Sequence, residues 1–457
     1  MEEGLILFLS ELNVRDLFNR KKYRPVEAWS FWGKLKLTVL RMAFTLRRLL
    51  GGRDWDAVWP EHHEDPLHMK RRELIYFSHK YYYRAIIKAD PGSGLETHFR
   101  SHAGSLCNDA EFIPEKVITI HSGGDLMPYA SINAGVCKGL WDEVGEEFFS
   151  ADIVTANLET PVVLNKKPGL VPEVMLNHMY FNASEEMMEV FSGNKKHKGY
   201  DVLSVANNHS LDQGTQGLEA TLRMLREKNI AYCGARHLPD DLHAVPILDR
   251  NGIKVAFLAA TFSLNAEQLL HGEEWRVDHL PLNKSNPDIS RLVLQAKNAR
   301  AKGADLLVAH LHMGCAYQPY PSMHTVTNMR EICRQTGIDV VLGGHPHNPQ
   351  PLEYFLFIDP FTGIEKQSTI IYSMGDFVAY DIFKWCHLPL VVKMKIGKRG
   401  NETRVLQVIP QLWYMQAEKS GGAIESLKFK KADDFLNPDN IELEELKKFR
   451  KKIGRAH

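Results

Sequence analysis

From about residue 115 onward, the chain repeats short apolar runs rich in β-branched residues, and this repetition limits its fold more than any other feature. The runs are VITIHSGGD, DIVTANLE, DVLSVANNH, KVAFLAAT, DLLVAHLHMG, IDVVLGGH and TIIYSMGDF. Helical patterns lie between several of them, at residues 215–229 and 290–303. Strands that alternate with helices predict a layered α/β fold whose strands are strongly buried.

Polar residues that can bind a metal stand at the ends of these apolar runs. In open α/β sheets, ligand sites form beyond the carboxyl ends of the strands, so these endings should meet in space. The candidates are Asp125, Glu159, Asn208, His209, His312, His345 and His347. Imidazole and carboxylate ligands together suit Zn, Mn or Fe better than Ca or Mg. With two such ions, a bridging carboxylate would allow an activated water to attack an ester in line.

Each of these residues, taken alone, also has a purely structural explanation. An Asp or Asn at a strand end is commonly a turn former or a helix N-cap, and His312 could be a hydrogen-bonded core residue. The HPH sequence at 345–347 is stiffer, because its proline restricts the residue before it and one loop presents both rings. The conjunction of all the candidates at successive strand ends favours a metal site over turn chemistry.

Composition excludes several classes of protein. The formal net charge is zero, so nothing global indicates a nucleic-acid partner. The six cysteines are scattered without a C-x-x-C, which predicts free thiols in a reducing compartment rather than a disulfide framework or zinc ribbon. The start MEEGLILFLSEL carries acids where a signal peptide needs positive charge, and no apolar run reaches the ~18 residues of a membrane span. These features predict a cytoplasmic protein.

The chain divides into three parts by sequence character. Residues 1–110 are basic and aromatic without a strand pattern, and they predict a mainly helical extension of unassigned role. A linker is expected at 89–96, ADPGSGLE. The main domain is expected at 115–420, and a charged tail at 421–457.

Within the extension, a helix over residues 34–50 would be amphipathic. Its apolar stripe consists of Leu35, Val39, Met42, Ala43, Leu46, Leu49 and Leu50, and its flanks carry Lys34, Lys36, Arg41, Arg47 and Arg48. Such a helix either makes a peripheral contact with the inner membrane surface or packs its stripe on the main domain. Leu37 and Phe44 interrupt the polar face and favour packing.

The order of the motifs resembles the bacterial CapA/PgsA capsule-synthesis family. That family is a branch of the calcineurin-like metallophosphoesterases, associated with making or exporting poly-γ-glutamate capsules. Here the motifs stand as GGD, ANLET, ANNHSLDQGTQG, HLHMG, GGHPHNPQP and YSMGDF, and they span roughly residues 117–380. The resemblance does not cover residues 1–110.

The resemblance implies a four-layer α/β/β/α sandwich that holds one or two divalent transition metal ions (Mn, Zn or Fe). Carried over by motif, the first metal is held by Asp125 and His347, the second by Asn208, His312 and His345, and Glu159 bridges them. By the same resemblance, His209 is the general acid or a donor to the transition state. Asp212 would orient its imidazole, or would simply be an acid near a helix N-terminus.

Three positions depart from the family pattern. Met127 stands where broader metallophosphoesterases have a ligand histidine, Ala316 replaces a carboxylate in HMGCAY, and Asp376 replaces an asparagine in YSMGDF. Asp376 would add a negative charge near the site that partly compensates for Ala316. His310 lies on the same strand face as His312 and would be its neighbour or a core histidine.

Two functions follow from the resemblance. The first is a metal-dependent hydrolase of an anionic substrate, cleaving a phosphoester or a γ-glutamyl amide of polyglutamate. The second is a non-enzymatic, metal-binding partner in polyglutamate synthesis or export. Retention of His209 favours the enzyme, and the altered HMGCAY and YSMGDF motifs favour a changed or lost activity.

Overall fold

The computed structural model describes residues 31–50, 64–83, 86, 88–101, 106, 112–128, 132–166, 180–239, 242–380, 384–420 and 423–431. The helices in this part are α1 Phe31–Leu49, α2 Arg71–Tyr82, α3 Leu95–Ser101, α4 Gly145–Phe149, α5 Glu185–Phe191, α6 Gly214–Glu227, α7 Ser290–Ala301 and α8 Met323–Thr336. The strands are β1 Lys116–Leu126, β2 Ile153–Leu158, β3 Val202–Ser204, β4 Ala231–Cys233, β5 Ile247–Arg250, β6 Ile253–Thr261, β7 Leu306–His312, β8 Val340–Gly344, β9 Leu352–Ile358, β10 Glu365–Ile371, β11 Asp376–Val378, β12 Leu390–Arg399, β13 Glu402–Ser420 and β14 Ala423–Lys431.

The strands form two sheets. The first runs β14-β13-β12-β1-β2-β3-β4, with β11 paired to β1 off this path, and the second runs β5-β6-β7-β8-β10-β9. The central strands β1 to β4 are parallel, as are β6, β7, β8 and β10, whereas β12 to β14, β5 and β9 join antiparallel. The parallel strands bring their carboxyl ends to one edge.

The sheets pack face to face between two helical layers. In β6, Val255 and Phe257 join the core between the sheets with Ile118 of β1, while the alternating Ala256 and Leu258 join α7 and α8. Leu218, Leu222 and Leu225 of α6 cover the other side of the first sheet. This arrangement confirms the four-layer α/β/β/α sandwich. Successive side chains of each central strand point to opposite faces, so one set packs between the sheets and the other packs against a helical layer.

Part of the extension packs on the main domain, but not through the expected face. Leu37 and Phe44 of α1 are buried: Leu37 clusters with Tyr317 of the main domain, and the Phe44 ring centroid lies 5.3 Å from that of His79 in α2. The apolar stripe, by contrast, faces solvent, with Val39 and Leu46 54% and 58% exposed. Packing of the stripe on the main domain is therefore wrong. The helix has two apolar faces, and the smaller one, which periodicity alone discounts, makes the contact.

Two predicted boundaries differ in the structure. The linker at 89–96 ends early, because α3 begins at Leu95 and buries Leu95 and Phe99 against the second sheet. The tail at 421–457 begins too early, because β14 pairs with β13 over residues 423–431. Residues 432–457 lie outside the described part, as do residues 1–30 of the extension.

Two further expectations concern redox state and membrane crossing. Cys137, Cys233, Cys315, Cys333 and Cys386 are buried free thiols, and position 107 lies outside the described residues. None of the helices described here has both the length and the apolar character that a bilayer crossing requires.

Candidate metal centre

The candidate ligands meet at the shared carboxyl edge of the parallel strands. Asp125 lies near the end of β1, Glu159 directly follows β2, and His312 ends β7. Asn208 follows β3, and His345 and His347 follow β8. All six side chains are buried. The structure thus brings together the six predicted metal ligands, three from each sheet.

A first group forms around His312. One ligand atom each from Asp125, Glu159 and His312 lies within 4.8 Å of the others. The Nε2 atom of His312 lies 2.7 Å from Asn208 Oδ1 and 3.4 Å from Glu159 Oε1. The His345 ring centroid is 5.2 Å from that of His312. The resemblance assigns Asn208, His312 and His345 to the second metal and makes Glu159 the bridging ligand. Asp125 also lies in this group.

A second group forms around Asp125 and includes a residue that the sequence did not assign as a ligand. Ligand atoms of Asp125, His347 and Asp376 lie within 4.8 Å of one another. The parallel pairing of β11 with β1 sets Asp376 opposite Asp125, and His347 Nδ1 lies 2.9 Å from Asp376 Oδ1. Asp125 belongs to both groups, so the bridging role that the resemblance gives to Glu159 stays a prediction.

The position of the missing histidine is filled by apolar contacts. Met127 is fully buried and packs with Phe181 and Ala379. A thioether in this apolar cluster is a poor ligand for a hard or borderline metal ion. Asp376 instead supplies a carboxylate to the Asp125 and His347 side of the site.

The HPH turn holds its histidines in an uncommon backbone conformation. His345 and His347 have φ angles of 93° and 62°, in the region that favours glycine. The preceding Gly344 has an ordinary φ, but a Cβ there would lie 2.6 Å from Asp125 Oδ1. A glycine is thus required at this position because the backbone passes close to the Asp125 carboxylate, not because the chain turns sharply. Strain stored in the two histidines is typical of ligand-holding loops.

Burial sets the protonation of the cluster. It raises the pKa of Asp125 to about 7, helped by the nearby charge of Glu159, and it raises the pKa of Glu159 as well. Burial lowers the pKa of His312 to about 3 and that of His345 well below its usual value. The lowered pKa values favour the neutral imidazoles of His312 and His345, which is the form that binds metals.

The buried polar atoms fit a cation. Both carboxylate oxygens of Glu159 and both ring nitrogens of His345 are buried with no hydrogen-bond partner among the described residues. Such atoms each cost about 1–3 kcal/mol when left unsatisfied. A divalent transition metal would satisfy them and offset the repulsion between Asp125 and Glu159, so the donor set fits the group that the family resemblance implies.

His209 lies beside the ligands with its own partner. Its Nδ1 atom is 2.7 Å from Asp212 Oδ2, and Asp212 also accepts a hydrogen bond from the backbone of Phe181 at 2.6 Å. Burial lowers the pKa of His209, but the charge and hydrogen bond of Asp212 and the charge of Glu159 outweigh it and raise that pKa. Asp212 lies in the turn before α6 and contacts His209 directly, as an orienting role requires, and that role stays a prediction.

Two amide side chains that the sequence reading overlooked support the ligands. Asn157 Nδ2 donates to Asp125 Oδ1 at 2.8 Å, and Asn207 Nδ2 donates to Asn157 Oδ1 at 3.1 Å. Asn157 stands two residues before Glu159 and so shares its strand face, which is the signal that could have found it. His310 is a core histidine, with Nε2 2.8 Å from Thr155 Oγ1.

The extension also reaches the site. Ser263 Oγ donates to Asp65 at 3.0 Å and accepts from the Asn265 backbone at 2.9 Å, and Asn208 donates to Asn265 Oδ1 at 3.0 Å. A hydrogen-bonded chain thus runs from Asp65 to the candidate ligand Asn208.

A second contact from the extension lies at the altered HMGCAY motif. Glu64 accepts a hydrogen bond from the backbone of Ala316 at 2.9 Å and forms a buried ion pair with Lys80. A carboxylate from the extension therefore lies next to the position where the family motif has one.

Comparison with known proteins gives the chain a family. The sequence model of the family described as "Bacterial capsule synthesis protein PGA_cap" matches residues 119–381. The chain belongs to this family. Among curated proteins with a similar sequence, "Capsule biosynthesis protein CapA" of Bacillus anthracis is 28% identical over 263 residues, which are 57% of this chain and 58% of that protein. "PGA biosynthesis protein CapA" of Bacillus subtilis (strain 168) is 26% identical over 236 residues, 50% of this chain and 54% of that protein.

The chain spans little more than half the length of these two relatives. Among solved structures, the calcineurin-like phosphoesterase YfkN from Bacillus subtilis overlaps 74% of this chain and 98% of that chain, with 13% identity and a TM-score of 0.35. That overlap is too loose to add to the fold described above.

Proposed function

We propose that this member of the capsule-synthesis family is a metal-dependent hydrolase of an anionic substrate, a phosphoester or a γ-glutamyl amide. The observation that carries the proposal is the set of unsatisfied buried atoms on Glu159 and His345, placed beside Asp125 and His312. Without a cation, four buried polar atoms with no partner would be costly to the fold.

The candidate ligands form two groups. Asn208, His312, His345 and Glu159 would hold one metal ion, with Asp125, His347 and Asp376 forming a second group. A divalent Mn, Zn or Fe ion bound there would polarise the scissile group and activate a water.

His209 supplies the proton in this proposal. Despite its burial, the charge and hydrogen bond of Asp212 raise the pKa of His209, which favours the protonated ring, and Asp212 fixes the orientation of the ring through Nδ1. The Nε2 side of the ring is thus the one that can donate a proton to the leaving group. Because Asp212 holds the ring at Nδ1 and the proton leaves from Nε2, the transfer needs no rearrangement of Asp212.

The test pairs metal analysis with hydrolysis. The purified protein is expected to retain a transition metal after dialysis and to cleave a phosphodiester or a γ-glutamyl peptide. His209→Asn should retain the metal but lose about 100-fold or more in rate, as is typical for loss of a general acid. If wild-type protein binds no transition metal, the hydrolase proposal fails.

The second candidate function is a metal-binding partner without catalysis. The loss of a ligand at Met127, which is packed in an apolar cluster, favours it. Metal retention with no cleavage of either substrate, and no difference between wild type and His209→Asn, would support this alternative.

A further inference from the structure

The exposed face of α1 is a feature that the candidate metal centre does not explain. Eight large apolar side chains lie on it, each at least 45% exposed: Phe31, Trp32, Leu35, Val39, Met42, Leu46, Leu49 and Leu50. Projected at 100° per residue, they fall within about 100° of one another. They thus form one continuous stripe along the helix, hereafter the exposed stripe.

The exposed stripe is not the face that attaches α1 to the protein. Leu37 packs in a cluster with Tyr81, Tyr82 and Tyr317, on the side opposite the stripe. On the same attached side, Arg41 Nε donates to the backbone oxygen of Tyr82 at 3.1 Å. The helix is therefore fixed by one face while it presents the other outward. A contiguous apolar surface of this size is typical of an interaction site.

Charge identifies the class of partner. The helix contains Lys34, Lys36, Arg41, Arg47 and Arg48 and no acidic residue. Lys34 projects on one border of the exposed stripe, and Lys36 and Arg47 project on the other. An apolar face bordered by cations matches a bilayer interface, where apolar side chains enter the acyl boundary and cations meet anionic headgroups. An apolar protein groove would not need cations along both borders.

We propose that α1 docks the protein peripherally on a bilayer surface that contains anionic phospholipids. The exposed stripe enters the interface, and Lys34, Lys36 and Arg47 contact headgroup phosphates. The helix lies in the plane of the bilayer surface, because one face is held against the protein and the opposite face, the exposed stripe, meets the bilayer along its length. This docking does not depend on the proposed hydrolase activity, and its test uses no substrate.

The test is flotation of the full chain with vesicles of phosphatidylcholine alone or mixed with phosphatidylglycerol. Wild type should float with the mixed vesicles and only weakly with phosphatidylcholine. Val39→Glu and Leu46→Glu should abolish binding, whereas the matched change Ile364→Glu, at a 68% exposed site in the β9–β10 turn, should not. All three sites are exposed, so melting temperatures should stay unchanged.

Charge and depth provide two further readouts. Lys34→Gln and Lys36→Gln should each weaken binding to mixed vesicles roughly fivefold and leave binding to phosphatidylcholine unchanged. Brominated acyl chains should quench part of the tryptophan fluorescence, and Trp32→Phe should remove that quenched part.

Three results would overturn the proposal. One is absence of wild-type binding to mixed vesicles, and another is equal binding by Leu46→Glu. The third is self-association in sedimentation that Leu46→Glu abolishes, without vesicle binding, because the exposed stripe would then be an interface between two copies of this chain.

Discussion

Asp376 adds a carboxylate to the candidate metal centre because the pairing of β11 with β1 places it opposite Asp125. We predict that Asp376→Asn lowers the metal content or weakens metal binding by about tenfold or more, because it removes one negative charge beside Asp125 and His347. The amide oxygen can still accept the hydrogen bond from His347, so the fold should be kept. Metal analysis after dialysis measures the effect, and the exposed Asp142→Asn is the charge-matched control. Unchanged metal content in Asp376→Asn would remove Asp376 from the ligand set.

Metal affinity should depend on pH through Asp125. Its raised pKa of about 7 means that a proton occupies the carboxyl below that pH and competes with the metal. The neutral His312, whose pKa is about 3, adds no such competition in this range. We expect affinity to fall by roughly tenfold for each pH unit below about 7 and to level off above it. Calorimetric titration across that range measures this, and a flat profile in wild type would contradict it.

The positions of the candidate ligands could be predicted, because each lies at or just beyond the end of a buried strand and these strands are visible in the sequence; their role as ligands stays a prediction. The ligand role of Asp376 could not be assigned, because it depends on which strands pair, whereas the period-two spacing of Asn157 and Glu159 could have pointed to Asn157. Asp376 meets Asp125 only through the β1–β11 register, and Asn157 meets it from β2. Met127 was recognised as a lost ligand, but its apolar neighbours Phe181 and Ala379 come from distant segments.

At the scale of elements, α1 offers a matched pair of substitutions. Phe44→Ala should cost about 3 kcal/mol of packing between α1 and α2, because Phe44 is buried against His79 and Tyr83. Met42→Ala, two residues away and 61% exposed, should cost almost nothing. Hydrogen exchange of the α1 amides should therefore rise in Phe44→Ala alone. Equal protection in both variants would show that Phe44 does not anchor the helix.

Helix bounds followed from the sequence where one apolar face dominates. The patterns at 215–229 and 290–303 correspond to α6, Gly214–Glu227, and α7, Ser290–Ala301. In α1 two apolar faces compete, and contacts with α2 and Tyr317, which the sequence does not reveal, determine which one is buried. The sequence of β14 is charged and resembles a solvated tail. It forms a strand because it pairs with β13, which its composition does not reveal.

At the scale of the molecule, hydrogen bonds from Asn208 through Asn265 and Ser263 to Asp65 join the candidate metal centre to the extension. We predict that metal removal by a chelator increases hydrogen exchange in α2 and the residues before it, because Asn208 then loses one of its two partners. The β9–β10 hairpin, which carries no ligand, serves as the internal control. Equal changes in both regions would indicate general loosening rather than transmission along this chain.

The origin of the ligands has a consequence for biosynthesis. Asp125, Glu159 and Asn208 come from the first sheet, whereas His312, His345 and His347 come from the second, more than 100 residues later in the chain by number. Half of the donor set is therefore missing while the first half of the polypeptide leaves the ribosome. If the proposed metal binds here, a nascent chain that has not yet released the HPH turn would offer it only half of the donors, so full loading would follow translation of both halves.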